Sequence, residues 1–501
     1  VKAATPVAGR ATGVLAALLA AWLPARRAGR VSPMAALREA ASGGAAHGEG
    51  RTGRVRAALG LLLTGAGAAA LVAAAAAEDT ADGAPFLGLG LLLALAGAIV
   101  VGPLLAAVVV RLLNAVVLRG FGSVGRMAGR NALRNPRRTG ATAGALMIGL
   151  ALVGALSVVA TSVVASASDQ LDRTVGADFI IEPSSGGLIT PQAAQAVAGT
   201  PGLEHVTEYT AVSVEITTPD GETEQEDVIA ADPTYAEDLV TPTVAGEQAA
   251  AYEPDQISVG ESFAERHGLE IGDELSVSFT GGDTATLTLG AITSEDTLLD
   301  QGAMYMSLDT ARSYLPADQV PLNVVMFAKA EEGQQDAAQA ALEDALAAFP
   351  QLEVHDQDSY KQLLEDEIGA ALNLVYGLLA LAIIVAVLGV VNTLALSVVE
   401  RTREIGLLRA IGLSRRQMRR MIRLESVVIA LFGALLGLGL GLAWGVTAQQ
   451  VLEGTGFHVL EIPWATVGAV FAGSVVVGLL AALVPAFRAG RMNVLAAIAT
   501  D

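Results

Sequence analysis

Six stretches of this chain, at about 57–77, 86–110, 139–166, 369–398, 424–450 and 465–487, are apolar over roughly the 20 residues that a helix needs to cross a bilayer. A shorter apolar run, about 9–24, stands at the start. Hydrophobic residues make up 52% of the 501, and charged residues 16%, low for a soluble domain of this length. The chain therefore reads as a polytopic α-helical membrane protein.

Charge orients it. Residues 168–368 hold 40 Asp and Glu against five Arg and Lys, a balance of −35, whereas the remainder carries 26 basic and 11 acidic residues, or +15. Positively charged loops are retained in the cytoplasm. With the arginine-rich loops 25–56, 111–138 and 400–426 inside, every span alternates consistently. EDTADGAP at 78–85 and LEGTGFHVLEIP at 452–463, both without Arg or Lys, then face outward with the acidic segment. The expected location is the plasma membrane, multi-pass, with a large domain outside and a cytoplasmic C-terminus.

The acidic segment has the pattern of a folded extracytoplasmic α+β domain. DFIIEP, AVSVEITT, DVIAAD, ELSVSF and TATLTLGAI are short runs rich in Val, Ile and Thr, as strands should be. PQAAQAVAG, ESFAERHG and EGQQDAAQAALEDALAAF read as helices. The flanks, 157–173 and 359–371, are expected to prolong the adjoining spans outward as stalks.

Catalytic signatures are missing. None of the three lysines (Lys2, Lys329, Lys361) follows glycine, so no phosphate-binding Gly-Lys-Ser/Thr occurs, and no GxSxG appears. With no cysteine and five scattered histidines (His47, His205, His267, His355, His458), no metal-ligand set is visible, and the histidines read as surface residues. The expectation is a non-enzyme without cofactor, metal or nucleic-acid partner, surrounded by membrane lipids. Asp, Glu, Lys and Arg are missing from the central parts of the spans, which disfavours an ion-coupled transporter. Asn373, Asn392, Gln449 and Gln450 are the polar exceptions near or within them. Gly433, Gly437, Gly441 and Gly445 recur every fourth residue, a spacing that lets helix backbones approach closely, within one bundle or against a second copy.

The densest arginine run, ERTREIGLLRAIGLSRRQMRRMIRLES at 400–426, is more than a retention signal. Ile405 and Leu408 fall on one side of a short helix, and Gly412 stands where a helix C-terminal glycine would. Ser414, with Gln417 three residues on, forms a capping-box pattern that opens a second helix carrying Met418, Met421 and Ile422 into the next span. A folded amphipathic element at the inner surface implies something docked against it.

VVNTLALSVVERTREIGLLRAIGLSRRQMRRMIRLES at 390–426 resembles the signature of FtsX-like, MacB-type permeases of ABC transporters. MAGRNALRNPRRTGATAGALMIGLALVGAL at 127–156 similarly resembles the amphipathic helix and first span of that module. ISVGESFAERHGLEIGDELSVSF and AMYMSLDTARSYL resemble phrases of its outer domain. LAAWLPARRAGR at 19–30 and LAALVPAFRAGR at 480–491 match at nine of twelve positions, as the ends of two homologous modules would.

The resemblance implies a ten-span, two-module plan, here N-terminally truncated. Residues 1–40 would be the end of a first module, 41–123 two linking spans, and 124–167 the amphipathic helix and first span of a second. Residues 168–368 would be the outer domain with its stalks, and 369–501 a three-span permease domain. It also implies a separate P-loop ATPase that hydrolyses ATP and moves a coupling helix at 400–412, opening at Glu400. The contacts fall on Glu404, Gly406, Leu408, Arg409 and Gly412, and the spans pass motion outward without carrying substrate through a pore. A second permease copy is a further potential partner. Export, or lipoprotein or peptide handling, is the implied function. The alternative is a signalling component that senses antimicrobial peptides or regulates a cell-wall hydrolase.

Overall fold

The computed structural model describes residues 49–77, 80–116, 118–134, 136–184, 186–295 and 302–492, with a few isolated positions before residue 27. The remaining parts of the 1–40 segment and of the C-terminal tail, together with most of the 19–30 repeat, lie outside the described residues. Contacts divide the chain into two units, 1–58 and 59–501. Within the first, Arg26 stacks over Trp22 at 5.0 Å. The second holds the sheet and nearly all of the spans.

Among the described residues, six helices are long and apolar enough to cross a membrane, within Arg54–Ala75, Thr80–Leu113, Arg138–Thr174, Gln357–Glu400, Arg415–Thr455 and Trp464–Arg491. The helical elements before the sheet are α1 (Glu49–Ala75), α2 (Thr80–Val116), α3 (Gly122–Arg134) and α4 (Pro136–Thr174). Within or beside the sheet lie α5 (Pro191–Ala198), α6 (Tyr235–Asp238), α7 (Glu261–His267), α8 (Leu308–Tyr314) and α9 (Gln335–Leu346). After it come α10 (Gln357–Glu400), α11 (Thr402–Ala410), α12 (Arg415–Leu452), α13 (Trp464–Ala481) and α14 (Leu483–Arg491).

The bundle is organised on the pair α4 and α12. Lipid offers apolar side chains no gain on leaving it, so helices in a membrane associate through close packing, and small residues permit it. Gly433, Gly437, Gly441 and Gly445 all lie against α4. A methyl group on Gly441 would come within 2.4 Å of the Ala151 carbonyl oxygen, and one on Gly437 within 2.6 Å of that of Met147. On Gly445 it would meet the Val158 Cβ at 2.6 Å. By contrast α10 is nearly bare through its span, exposing Leu374, Leu378, Leu381, Val385 and Leu388 at three- and four-residue steps.

Between α4 and α10 the chain builds one ten-stranded mixed sheet, in the order β10-β1-β9-β2-β3-β8-β5-β7-β4, with β6 pairing to β2 and β7. The strands are β1 (Phe179–Pro183), β2 (Leu203–Thr217), β3 (Thr223–Ala231), β4 (Thr243–Gly246), β5 (Gln256–Gly260), β6 (Glu274–Phe279), β7 (Thr284–Thr293), β8 (Met304–Ser307), β9 (Val325–Ala330) and β10 (Leu352–Asp356). β2 and β3 form a long antiparallel hairpin from Tyr209 opposite Ala231 to Thr217 opposite Thr223. Alternation buries Val212, Val214 and Ile216 of β2 with Leu275, Val277, Leu287 and Leu289.

Both stalks are continuous with their spans. Leu171 and Val175 at the end of α4 enter an aromatic cluster with Tyr235, Tyr252, Tyr305 and Phe327. Asp356 caps α10, accepting from the Ser359 N–H at 2.7 Å. The Gln357 side-chain amide then donates to the carbonyls of Val175 and Ala177, 3.0 Å each. Lys361 pairs with Asp172, and the Ser157 and Tyr376 hydroxyls meet at 2.8 Å. The histidines correct one expectation: the side chains of His267 and His205 are only 2% and 16% exposed, because each folds against acidic neighbours.

The glycine contact is testable. Gly441→Ala is expected to force α12 off α4 and lower the thermal midpoint of the purified chain, an overpacking cost of about 1–3 kcal/mol. Gly439→Ala, on the same helix with nothing within 4 Å, is expected to leave the midpoint unchanged. Equal midpoints in both variants would remove the glycine stripe as the basis of the packing.

Candidate functional site

At the end of the bundle away from the sheet, α10 stops at Glu400 and the chain folds straight into α11. The helix ends as its sequence dictates. The Leu413 N–H bonds to the Leu408 carbonyl and the Gly412 N–H to that of Arg409, at 3.0 and 3.2 Å, with Gly412 at φ +106. This is a Schellman closure, and its left-handed position favours glycine. Two residues later Ser414 accepts from the Gln417 N–H at 3.2 Å, and the Gln417 side chain accepts from the Ser414 N–H at 2.9 Å. That capping box fixes the start of α12. The two devices make one rigid corner between the nine-residue α11 and the span α12.

One face of α11 is buried. Ile405 joins Met418, Met421 and Ile422 of α12, Ala128 and Ala132 of α3, and Ala489 of α14 in one apolar cluster, with Leu408 and Leu413 at its margin. Arginines border the same cluster: Arg419 and Arg491 lie over the Phe487 ring at 4.7 and 4.3 Å, and Arg420 over Phe121 at 5.0 Å.

Beside the cluster is a charged cavity of about 250 Å³, lined among others by Asn131, Arg138, Thr142, Ser397, Glu404 and Glu425. Arg138, on the first turn of α4, pairs with Glu400 at 2.7 Å and also donates to the Thr393 carbonyl. Arg401 lies 3.2 Å from Glu404 and 3.9 Å from Glu425, and donates to Asn131 Oδ1 at 2.7 Å. One guanidinium thereby ties α3, α11 and α12 to the end of α10. The Glu425 side chain is only 12% exposed, so removing its cation would leave a carboxylate facing little solvent.

Glu400 and Glu404 lie in these ion pairs, and Gly406 is buried. Leu408 packs inward, and Arg409 donates to the Met492 carbonyl. Gly412 lies on the surface. The outward face of α11 and its closing turn is instead Arg403, Leu407, Ala410 and Ile411, with Leu407 and Ile411 at 51% and 81% exposure. Reading outward from Ile405 by helical period would have found Leu407 and Ile411. Asn131 and Arg138 carried no sequence signal, because their partners are more than 250 residues distant.

A bundle of apolar helices bearing a mixed sheet domain on two stalks defines a polytopic membrane protein with a periplasmic-type domain. Residues 139–345 match the MacB-like periplasmic core domain, and residues 376–494 the FtsX-like permease C-terminal domain. The chain thus carries a MacB-like periplasmic core domain followed by an FtsX-like permease C-terminal domain.

The macrolide export ATP-binding/permease protein MacB of Psychrobacter cryohalolentis is 26% identical over 213 residues, covering 40% of this chain and 32% of that protein. Its namesake in Neisseria gonorrhoeae is 31% identical over 148 residues, covering 30% and 22%. The chain thus spans a third or less of the relatives it matches. The crystal structure of the periplasmic region of MacB from Actinobacillus actinomycetemcomitans aligns with 38% of this chain and 95% of its own length, at 12% identity and a TM-score of 0.29.

The ion-pair cluster makes its own prediction. Arg401→Met is expected to lower the thermal midpoint by the equivalent of about 3 kcal/mol, since Glu425 loses its cation. Arg401→Met combined with Glu425→Gln is expected to recover part of that loss. Equal losses in the single and double variants would show that the two residues are not coupled.

Proposed function

We propose that this chain is the permease subunit of an ABC-type exporter, driven by a separate P-loop ATPase that docks on α11. One observation carries the reading: α11 and its closing turn present Leu407, Ala410 and Ile411 to the outside, while Ile405, Leu408 and Leu413 pack inward or lie at the margin of the cluster. Arg403, Arg415 and Arg416, all exposed, flank Leu407 and Ile411 in sequence, so the segment suits a protein surface better than hydrocarbon.

The fold supports transmission in three joints. Rotation of α11 is handed to α12 through the rigid corner and to the end of α10 through Arg401. The glycine-lined contact passes it to α4, whose last turns are rooted in the aromatic cluster of the sheet domain. The third joint is the 456–463 segment. There the Glu461 N–H donates to the Ser162 hydroxyl at 3.0 Å and the Val459 N–H to that of Ser166 at 2.9 Å, while the Thr161 hydroxyl donates to the Glu461 carbonyl at 2.8 Å. The connection between α12 and α13 is thereby fastened along the α4 stalk. Motion delivered to the sheet domain would act on cargo outside, which fits export or the handling of lipoproteins or peptides.

With co-purified ATPase, Ile411→Asp and Gly412→Val are expected to leave membrane insertion intact. They should lower permease-stimulated ATP turnover at least about tenfold, the equivalent of roughly 1.4 kcal/mol of docking. Unchanged turnover in both would remove α11 as the docking element.

The reading also puts α11 and the C-terminus in the cytoplasm and the sheet outside, supported by the charge split along the chain. Because the chain has no cysteine, single cysteines report topology cleanly. A membrane-impermeant maleimide should label Asp318→Cys on intact cells and Ala410→Cys only after lysis. The reverse pattern would invert the topology.

A further inference from the structure

The β2–β3 hairpin, whose base enters the aromatic cluster through Ile229 and Ala231, ends in a tight turn. It closes through the turn Thr218-Pro219-Asp220-Gly221-Glu222, with the Thr218 N–H on the Glu222 carbonyl at 3.0 Å and Gly221 at φ +89. Its tip lies beside the last residue of α7, His267. Asp220 is oriented by its own turn: Oδ1 accepts from the Glu222 N–H at 3.1 Å and from the Thr218 hydroxyl. That leaves Oδ2 directed at the imidazole, 3.0 Å from His267 Nδ1. Glu222 Oε2 lies 3.8 Å from the same nitrogen.

We propose that Asp220, Glu222 and His267 form a binding site for a divalent transition-metal ion of the Zn²⁺ type, which staples the hairpin tip to the end of α7. One donor atom from each residue lies within 4.8 Å of the others. Tetrahedral Zn²⁺ with bonds of about 2.0–2.1 Å needs donors a little over 3 Å apart, so modest side-chain movement closes the set and leaves a position for water. One imidazole with two carboxylates favours a borderline transition ion over Ca²⁺, which takes six to eight oxygens.

The second observation concerns the other face of the ring. The His267 side chain is 2% exposed, and its Nε2 is buried without a hydrogen-bond partner. It faces Glu224 Oε1 at 3.4 Å, and the other oxygen of Glu224 accepts from Arg266 at 3.1 Å. A histidine that ligates through one nitrogen commonly donates its other N–H to a carboxylate that is itself held, which fixes the tautomer and raises ligand basicity. Glu224 and Arg266 supply that outer layer. Phe263 packs against the ring at 4.7 Å between centroids and restricts its rotation. A metal on Nδ1 would place the remaining proton on Nε2 and complete the unsatisfied contact to Glu224. The site's rival occupant is a proton on Nδ1, which makes the same Asp220 contact but needs no Glu222.

The test is Zn²⁺ titration of the untagged full chain in nanodiscs by calorimetry, with Co²⁺ absorption reporting coordination geometry. One saturable site per chain and visible tetrahedral Co²⁺ bands are expected. Glu222→Gln, whose side chain is 72% exposed and so not needed for folding, is expected to weaken binding at least tenfold. His267→Gln should abolish it. Glu224→Gln should cost about tenfold, as outer-layer substitutions do. Absence of saturable binding in the native chain would overturn the proposal, as would affinity unchanged in Glu222→Gln and His267→Gln. Neither result bears on docking of the ATPase at α11.

Discussion

The approach of α12 onto α4 is the contact on which the rest of this structure depends. Hydrocarbon surrounds a membrane bundle, so burying leucine against leucine gains little over leaving it in lipid. What holds two spans together is the density of contact between backbones, and four glycines at four-residue spacing supply it along one face. Once that pair is fixed, α4 becomes a rigid path running unbroken from Pro136 to Thr174 and into the aromatic cluster of the sheet. The other spans are arranged around it unevenly, and α10 touches the bundle sparingly. A helix so weakly held in its span, yet tied at both ends, is a strut that can tilt while the central pair keeps its register.

Charge inside the far end of the bundle follows a different logic. Burying an ion pair is costly, and an apolar replacement of the same shape would often be as stable. Here Arg401 and Arg138 sit where five helices converge, and their partners come from different elements. Packing alone would allow α11 several rotations against its apolar bed. The directional demands of two guanidinium groups select one of them.

How much of this could be read from the chain itself varies with the range of the interaction. The spans, the capping box at Ser414, the closing glycine at Gly412 and strands such as ELSVSF rest on patterns within a few residues, and those patterns are explicit in the sequence. β5, β8, β9 and β10 are short runs of four to six residues. Their strand character comes from neighbours far along the chain, so no local signal marks them. The candidate site divides the same way. The α11 segment announced itself through glycine and cap, whereas Asn131 and Glu425 are ordinary residues until folding brings them to Arg401, and Arg138 until it meets Glu400. The inward turn of Arg409 was equally invisible, because its acceptor, the Met492 carbonyl, lies 83 residues further along the chain.

The same division of range bears on the outer domain. A hairpin with alternating burial in β2 is legible at once, yet its tip acquires meaning only because α7 ends beside it. His267 looked like an isolated surface residue, with no second histidine at ligand spacing. Its chemistry is set by a turn 47 residues earlier. In that turn the proline, the glycine and the two acids hold the carboxylates at the angle where an imidazole, closing a seven-residue helix, meets them. Spacing rules detect ligands carried on one element. Ligands contributed by a turn and a helix terminus emerge only from the way the sheet folds back on itself, and in this domain that folding is governed by the register of β2 against β3.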